Sequence, residues 1–263
     1  MNKSISQFLG SLPDAPLFTN RRTFPRISAV CTSLAGVLFV GKVSIQHHAI
    51  LPSWIELSFL ALFIFLSYSW TFLSSHLRWP LTIASFCLAE WQYTWESTLM
   101  LGIVGTIFLL YTGVRWKSIQ VEALRKKVFL KPVLILICWI CILYGLKLTE
   151  GDVAFSELNF HFLLSDILLV LALSFISDFQ DREQDFQDNV KTLANQLSLQ
   201  HSALLILGLL SLRLFLCVEM KSVLLACITL LYVYFFFRFK DAGKTTWYMD
   251  GLIFLECFPF YWG

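Results

Sequence analysis

Nine apolar runs constrain this chain more than any other feature. They lie at about 27–43, 54–73, 81–93, 97–114, 132–148, 160–176, 201–217, 222–237 and 249–263, separated by short polar loops. Most approach the roughly 20 residues that a helix needs to cross a bilayer; those at about 81–93 and 249–263 are shorter. The chain is 57% hydrophobic and 14% charged, where soluble domains average roughly 45–50% and 25%. No polar stretch is long enough to bury a core of its own. The expected class is therefore all-α: a polytopic membrane protein, with 1–26 as a cytoplasmic N-terminal segment and 27–263 as one transmembrane domain. The N-terminus has no apolar core followed by a small-residue cleavage site, so it does not read as a cleaved signal peptide.

Charge decides whether the two short runs cross. With nine crossings and the N-terminus inside, the inner segments hold 16 of the 20 basic residues, including Arg21, Arg22, Arg26, Arg115, Arg125, Lys126, Lys127 and Lys131. Lys42, Lys147 and Lys221 then fall outside, and Arg213 within a helix. That bias is what the positive-inside rule expects. Fusing 81–114 into one span would place the basic loop 115–131 outside. The turn Glu90-Trp91-Gln92-Tyr93-Thr94-Trp95-Glu96 suits an outer interface, where Trp and Tyr concentrate. A net charge of +2, with its basic residues divided among short loops, does not point to nucleic acid. Localisation in the inner (cell) membrane is the expectation.

The densest acidic cluster is Asp178 to Leu197. Asp178, Asp181, Asp185 and Asp188 are spaced by three, four and three residues, so on a helix they share one arc of roughly 80°. Four carboxylates on one face repel one another unless a cation sits among them. Oxygen donors with no Cys or His beside them favour Mg²⁺, which reaches its sites through one or two carboxylates together with substrate phosphates. Arg182 and Lys191 could then meet phosphate oxygens. The same residues are also compatible with a solvated loop between two membrane helices. Placement outside the bilayer core is required, because each charge there costs about 2.5–3.5 kcal/mol on insertion scales. The basic loop 115–131 falls on the same side; it serves topology and anionic lipid headgroups, or supplies Arg125 or Lys131 to a diphosphate opposite the acidic motif.

The pattern Asp178, Asp181, Arg182, Asp185, Lys191, Thr192, Leu193 resembles the second aspartate-rich motif of the UbiA superfamily of intramembrane prenyltransferases. The resemblance covers about 20 of the 263 residues. It implies a nine-helix UbiA-like bundle, with Asp178, Asp181 and Asp185 holding Mg²⁺. Asp181 and Asp185 would be the catalytic pair, and Arg182, Lys191, Arg125 and Lys131 would bind the diphosphate. It further implies a prenyl diphosphate donor, a lipophilic acceptor, and transfer of a polyprenyl group between them. The chain departs from the family at the end of the second helix. Where a first motif of the form N-D-x-x-D-x-x-x-D belongs, it reads Ser67 to Pro80 with no carboxylate. Ser74, Ser75 or His76 would have to substitute through a water or a nitrogen ligand. A prenyl-lipid-binding accessory protein of the same fold is therefore the alternative. A small transporter is a third reading, using the few ionisable groups within the spans: Glu56, Asp166 and Arg213.

The seven cysteines mostly lie in apolar runs and read as small buried hydrophobes. That holds for Cys138-x-x-Cys141 as well, in the middle of a span. His47, His48 and His161 read as interfacial and His201 as a helix cap or surface group. Trp70, Phe72, Trp79, Trp139 and Phe175 are candidates for a prenyl pocket, although rings in membrane helices also serve ordinary packing.

Overall fold

The computed structural model describes residues 24–47, 52–69, 75–112, 114–116, 119–121, 130–180, 182–187, 192–239, 252–253 and 255–257. Eight of the nine apolar runs are helical, and the ninth is described only as helical turns at 252–253 and 255–257. The helices are α1 (Phe24–Gln46), α2 (Trp54–Ser69), α3 (Ser75–Gln92) and α4 (Trp95–Thr112). Next comes α5 (Leu130–Ile140), which runs through a π-helical segment, Cys141–Gly145, into α6 (Leu146–Thr149). Then follow α7 (Phe160–Gln180), α8 (Arg182–Gln187), α9 (Leu193–Gln196), α10 (Leu199–Glu219) and α11 (Val223–Phe239).

Among the described residues, three helical stretches are long and apolar enough to cross a membrane: Lys131–Thr149, Phe160–Phe179 and Leu199–Glu219. Four shorter apolar helices accompany them, at Val30–Gln46, Trp54–Ser69, Trp95–Tyr111 and Val223–Arg238. α3 stands apart because Ser75, His76, Arg78 and Glu90 dilute its apolar run. It is nevertheless a helix separate from α4, with the break at Tyr93 and Thr94. One local departure from all-helical structure occurs in the basic loop. Val114–Trp116 and Ile119–Val121 pair as a small antiparallel hairpin, Val114 opposite Val121, using the β-branched and aromatic residues that favour strands.

Polar residues close the helix ends. Ser53 and Glu56 form a capping box, with the Glu56 N–H donating to Ser53 Oγ at 3.2 Å and the Ser53 N–H to Glu56 Oε2 at 2.5 Å. Glu56, expected among the ionisable groups within the spans, is thus a cap. Asn159 Oδ1 accepts from the His161 and Phe162 N–H groups at 3.1 and 3.5 Å. Ser198 Oγ accepts from the His201 N–H at 3.3 Å, as a cap for α10.

Two ends of the bundle follow from these contacts. At one, the Asn159 N–H donates to His47 Nδ1 at 3.3 Å, the Thr94 N–H donates to Glu150 Oε1 at 3.0 Å, and His161 lies 3.9 Å from Glu219. His47 is buried here, edge-on to Tyr144 at 5.7 Å, and not interfacial as its position implied. His48 lies outside the described residues. Burial, with Glu56 and Glu150 nearby, pushes the Tyr93 phenol above its ordinary range. The opposite end holds the start of α5 and the end of α7, and with them the acidic motif.

The core lies between α1, α2, α4, α5 with its π segment, α7, α10 and α11, and contains Phe39, Ile64, Val104, Leu143, Leu169, Ile206 and Tyr232. Cys138 is buried in it and unbonded, as the packing reading expects. Gly36 permits a close approach: a Cβ there would lie 2.7 Å from both Ile64 Cδ1 and Trp139 Cη2.

Candidate functional site

α7 carries Asp178 two residues before its C-terminal end, and α5 carries Lys131 as its second residue. The two side chains meet. Lys131 Nζ lies 2.5 Å from Asp178 Oδ1 and 3.7 Å from Asp185 Oδ2 on α8. Asp178 is fully buried, Lys131 is 9% exposed and Asp185 14%. One ammonium thus faces two carboxylates seven residues apart in the chain. Arg182 begins α8 and is half-buried, and its Nη1 has no hydrogen-bond partner among the described residues.

Two carboxylates this close repel each other, and a buried charge without a partner is costly; the Lys131 ammonium between them relieves both.

The structure brings together three of the expected site residues, Lys131, Asp178 and Asp185, with Arg182 on the same short helix as Asp185. Asp181, Asp188, Lys191 and Arg125 lie outside the described residues. Thr192, next to Lys191, caps α9: its Oγ1 accepts from the Asn195 N–H at 3.3 Å. The oxygen donors of Asp178 and Asp185 are of the kind Mg²⁺ takes, and both face one cationic centre. Among the described residues, no three acidic, His or Cys side chains gather closely enough to hold a metal, so a metal site here requires Asp181 or substrate oxygens as well.

At the end of α2, where a second carboxylate cluster would complete such a site, the described hydroxyls point elsewhere. Ser67 Oγ donates to the Phe63 carbonyl at 2.8 Å and Ser69 Oγ to the Phe65 carbonyl at 2.5 Å, each within its own helix. The side chains of Ser74, Ser75 and His76 lie outside the described residues. Beside this region, Trp139 Nε1 donates to Tyr68 Oη at 3.2 Å.

A second charged cluster was not anticipated. Lys42, expected in an outer loop, is fully buried within the bundle and donates to both Asp166 Oδ1 and Glu256 Oε1 at 2.7 Å. Arg213 shares that Glu256 oxygen at 2.6 Å and reaches Thr229 Oγ1 at 2.9 Å, while Tyr144 Oη donates to Asp166 Oδ2 at 2.7 Å. The cluster ties α1, the π segment, α7, α10, α11 and the helical turn at 255–257. Lys42 and Glu256 each interrupt an apolar run, the one signal that could have identified them.

No family model matches the chain, and no curated protein does. Among solved structures, a UbiA homolog from Archaeoglobus fulgidus bound to DMAPP and Mg²⁺ superposes with a TM-score of 0.63 at 12% identity, covering 90% of this chain and 96% of that one. The chain has that UbiA-like fold, and with its apolar helices it is an integral membrane protein.

Proposed function

We propose that this protein is a UbiA-like membrane prenyltransferase that moves a polyprenyl group from its diphosphate to an aromatic or other lipophilic acceptor, assisted by Mg²⁺. The carrying observation is the meeting of Lys131 with Asp178 and Asp185 at one end of a UbiA-like bundle. The solved UbiA homolog holds DMAPP and Mg²⁺, a donor of the proposed class with the proposed metal. We place the acidic end of the bundle, and the N-terminus, on the cytoplasmic side.

In this reading Asp178, Asp181 and Asp185 would hold the metal, with Asp181 and Asp185 as the catalytic pair. Bound Mg²⁺ supplies neutralisation of the charge that builds on the departing diphosphate. Lys131 exchanges its carboxylate partners for a phosphate oxygen. Arg182 and Lys191 donate to the same group from the acidic segment, and Arg125 from the basic loop. The allylic carbon–oxygen bond breaks and its electron pair leaves with diphosphate. A nucleophilic carbon of the acceptor then bonds to the prenyl cation and loses a proton.

A second reading is favoured by the end of α2, which lacks carboxylates and whose Ser67 and Ser69 hydroxyls are bonded within their own helix. Losing half of the metal site would remove several kcal/mol of transition-state stabilisation, about tenfold in rate for each 1.4 kcal/mol. The protein would then be a prenyl-lipid-binding accessory protein, with the acidic motif anchoring a headgroup. The test is binding and turnover of a radiolabelled prenyl diphosphate by purified protein, with and without Mg²⁺, beside a variant carrying Asp181→Asn and Asp185→Asn. Mg²⁺-dependent release of diphosphate that the variant loses supports the transferase. Binding without release supports the accessory role. Absence of both overturns the two readings together.

A further inference from the structure

Between α2, α3 and α4, no described side chain fills a cavity of about 190 Å³ bordered by Phe63, Phe86, Gly102 and Gly105. A second hollow, of about 500 Å³, shares Phe86, Thr98 and Gly102 with it and extends to Trp95. Phe86 and Trp95 are 52% and 66% exposed, so the groove opens outward from the bundle. The first cavity alone exceeds the roughly 150 Å³ apolar cavity that admits benzene.

Two independent observations indicate that the groove is built to be occupied. The first is the pair of glycines. Glycine is unfavourable in a helix interior and usually earns its place through a close backbone approach, as at Gly36. At Gly102 an added Cβ would meet only the Phe86 ring at 3.9 Å, and at Gly105 only the Phe63 ring at 3.7 Å. The space they leave lies in the groove. The second is Thr98. A helical threonine commonly turns its hydroxyl to the carbonyl one turn back, as Thr106 does to Gly102 at 2.8 Å. Thr98 is 4% exposed and borders both hollows, yet its Oγ1 has no hydrogen-bond partner among the described residues. A buried hydroxyl without a partner is unfavourable and is relieved by a ligand oxygen.

We propose that this groove binds one linear lipophilic chain, prenyl or acyl, whose single oxygen function is held by the Thr98 hydroxyl. Trp91 and Trp95 are exposed near the Thr98 end, as rings at a membrane interface are. The oxygen therefore sits at that level, and the hydrocarbon runs along α4 towards Leu109, roughly 16 Å at 1.5 Å per residue. Its Thr98 end lies at the end of the bundle opposite Lys131 and Asp178, and the proposal does not depend on prenyl transfer there.

The test uses the full chain in phosphatidylcholine nanodiscs carrying a diazirine-tagged phosphatidylcholine or a diazirine-tagged farnesol. After illumination, adducts from at least one probe should concentrate on peptides spanning 82–109; which probe labels identifies the source of the chain. Gly102→Leu, which fills the groove, should reduce that labelling at least tenfold with the melting temperature unchanged or raised. Thr98→Val, which removes only the hydroxyl, should reduce it about fivefold, as for one lost hydrogen bond. Should Gly102→Leu misfold, Gly102→Ala serves the same purpose with a smaller drop. Adducts spread evenly over the outward faces of α7, α10 and α11, no adducts with either probe, or labelling indifferent to these substitutions would overturn the proposal.

Discussion

Lys131 and Asp178 form a pair whose members depend on each other. Each is buried, and the two charged atoms lie 2.5 Å apart. Removing one partner of a buried pair typically costs about 3–5 kcal/mol, because the other charge remains in a poor solvent. Lys131→Met should therefore lower the melting temperature sharply, and a Lys131→Met, Asp178→Asn double variant should recover much of the loss; additive losses in thermal denaturation would refute the coupling. The same reasoning applies to Glu256, whose single oxygen serves both Lys42 and Arg213. Glu256→Gln leaves Lys42 with Asp166 but takes from Arg213 the carboxylate it pairs with inside the bundle. We expect a loss of about 3–5 kcal/mol, read as reduced thermal stability in detergent, with Glu219→Gln at an exposed helix end nearly silent as control.

At the level of elements, α1 is held against α2 and α5 by a missing side chain. A Cβ at Gly36 would fall 2.7 Å from the ends of Ile64 and Trp139, so Gly36→Val should overpack the contact and cost about 1–3 kcal/mol. Van der Waals repair by Trp139→Phe in the same background should restore part of it; equal stability of the wild type and Gly36→Val would show that the helices are less closely packed than described. The π segment has a comparable role. It carries Tyr144 to Asp166, and at Gly145 an added Cβ would meet Met100 Sδ. Insertions of this type recur at functional sites, and here the insertion aims a hydroxyl at a buried carboxylate.

For the whole molecule the decisive quantity is which end faces which side. α7 has 21 residues, about 31 Å of helix and close to the roughly 30 Å hydrocarbon core, so its two ends must emerge on opposite faces. In a background with the native cysteines replaced, a membrane-impermeant maleimide should label Glu157→Cys in intact cells and Phe186→Cys only after lysis. Labelling in the reverse order would invert the proposed orientation, and labelling of both in intact cells would contradict a crossing by α7. The bundle is UbiA-like as a whole, although local similarity is low at 12% identity. That agrees with a fold specified by hydrophobic run lengths and charged loops more than by individual residues.

Helix positions were largely legible in the chain because they depend on local quantities. Run length and polarity located eight of the nine expected segments, and Thr94 and Tyr93 mark the break that separates α3 from α4. The spacing marked Asp178 and Asp185, and the basic loop marked Lys131 opposite them as a diphosphate ligand; that Lys131 pairs with the two carboxylates themselves is a property of the tertiary structure. Lys42 was misread as a loop residue because its partners, Asp166 and Glu256, are 124 and 214 residues away. No local pattern encodes a neutralising partner at that distance. The groove beside Thr98 was equally invisible, being a space between three helices and not a property of any one of them. Solvent preference acts residue by residue and can be read along a chain; charge compensation and unfilled volume exist only once distant segments have packed.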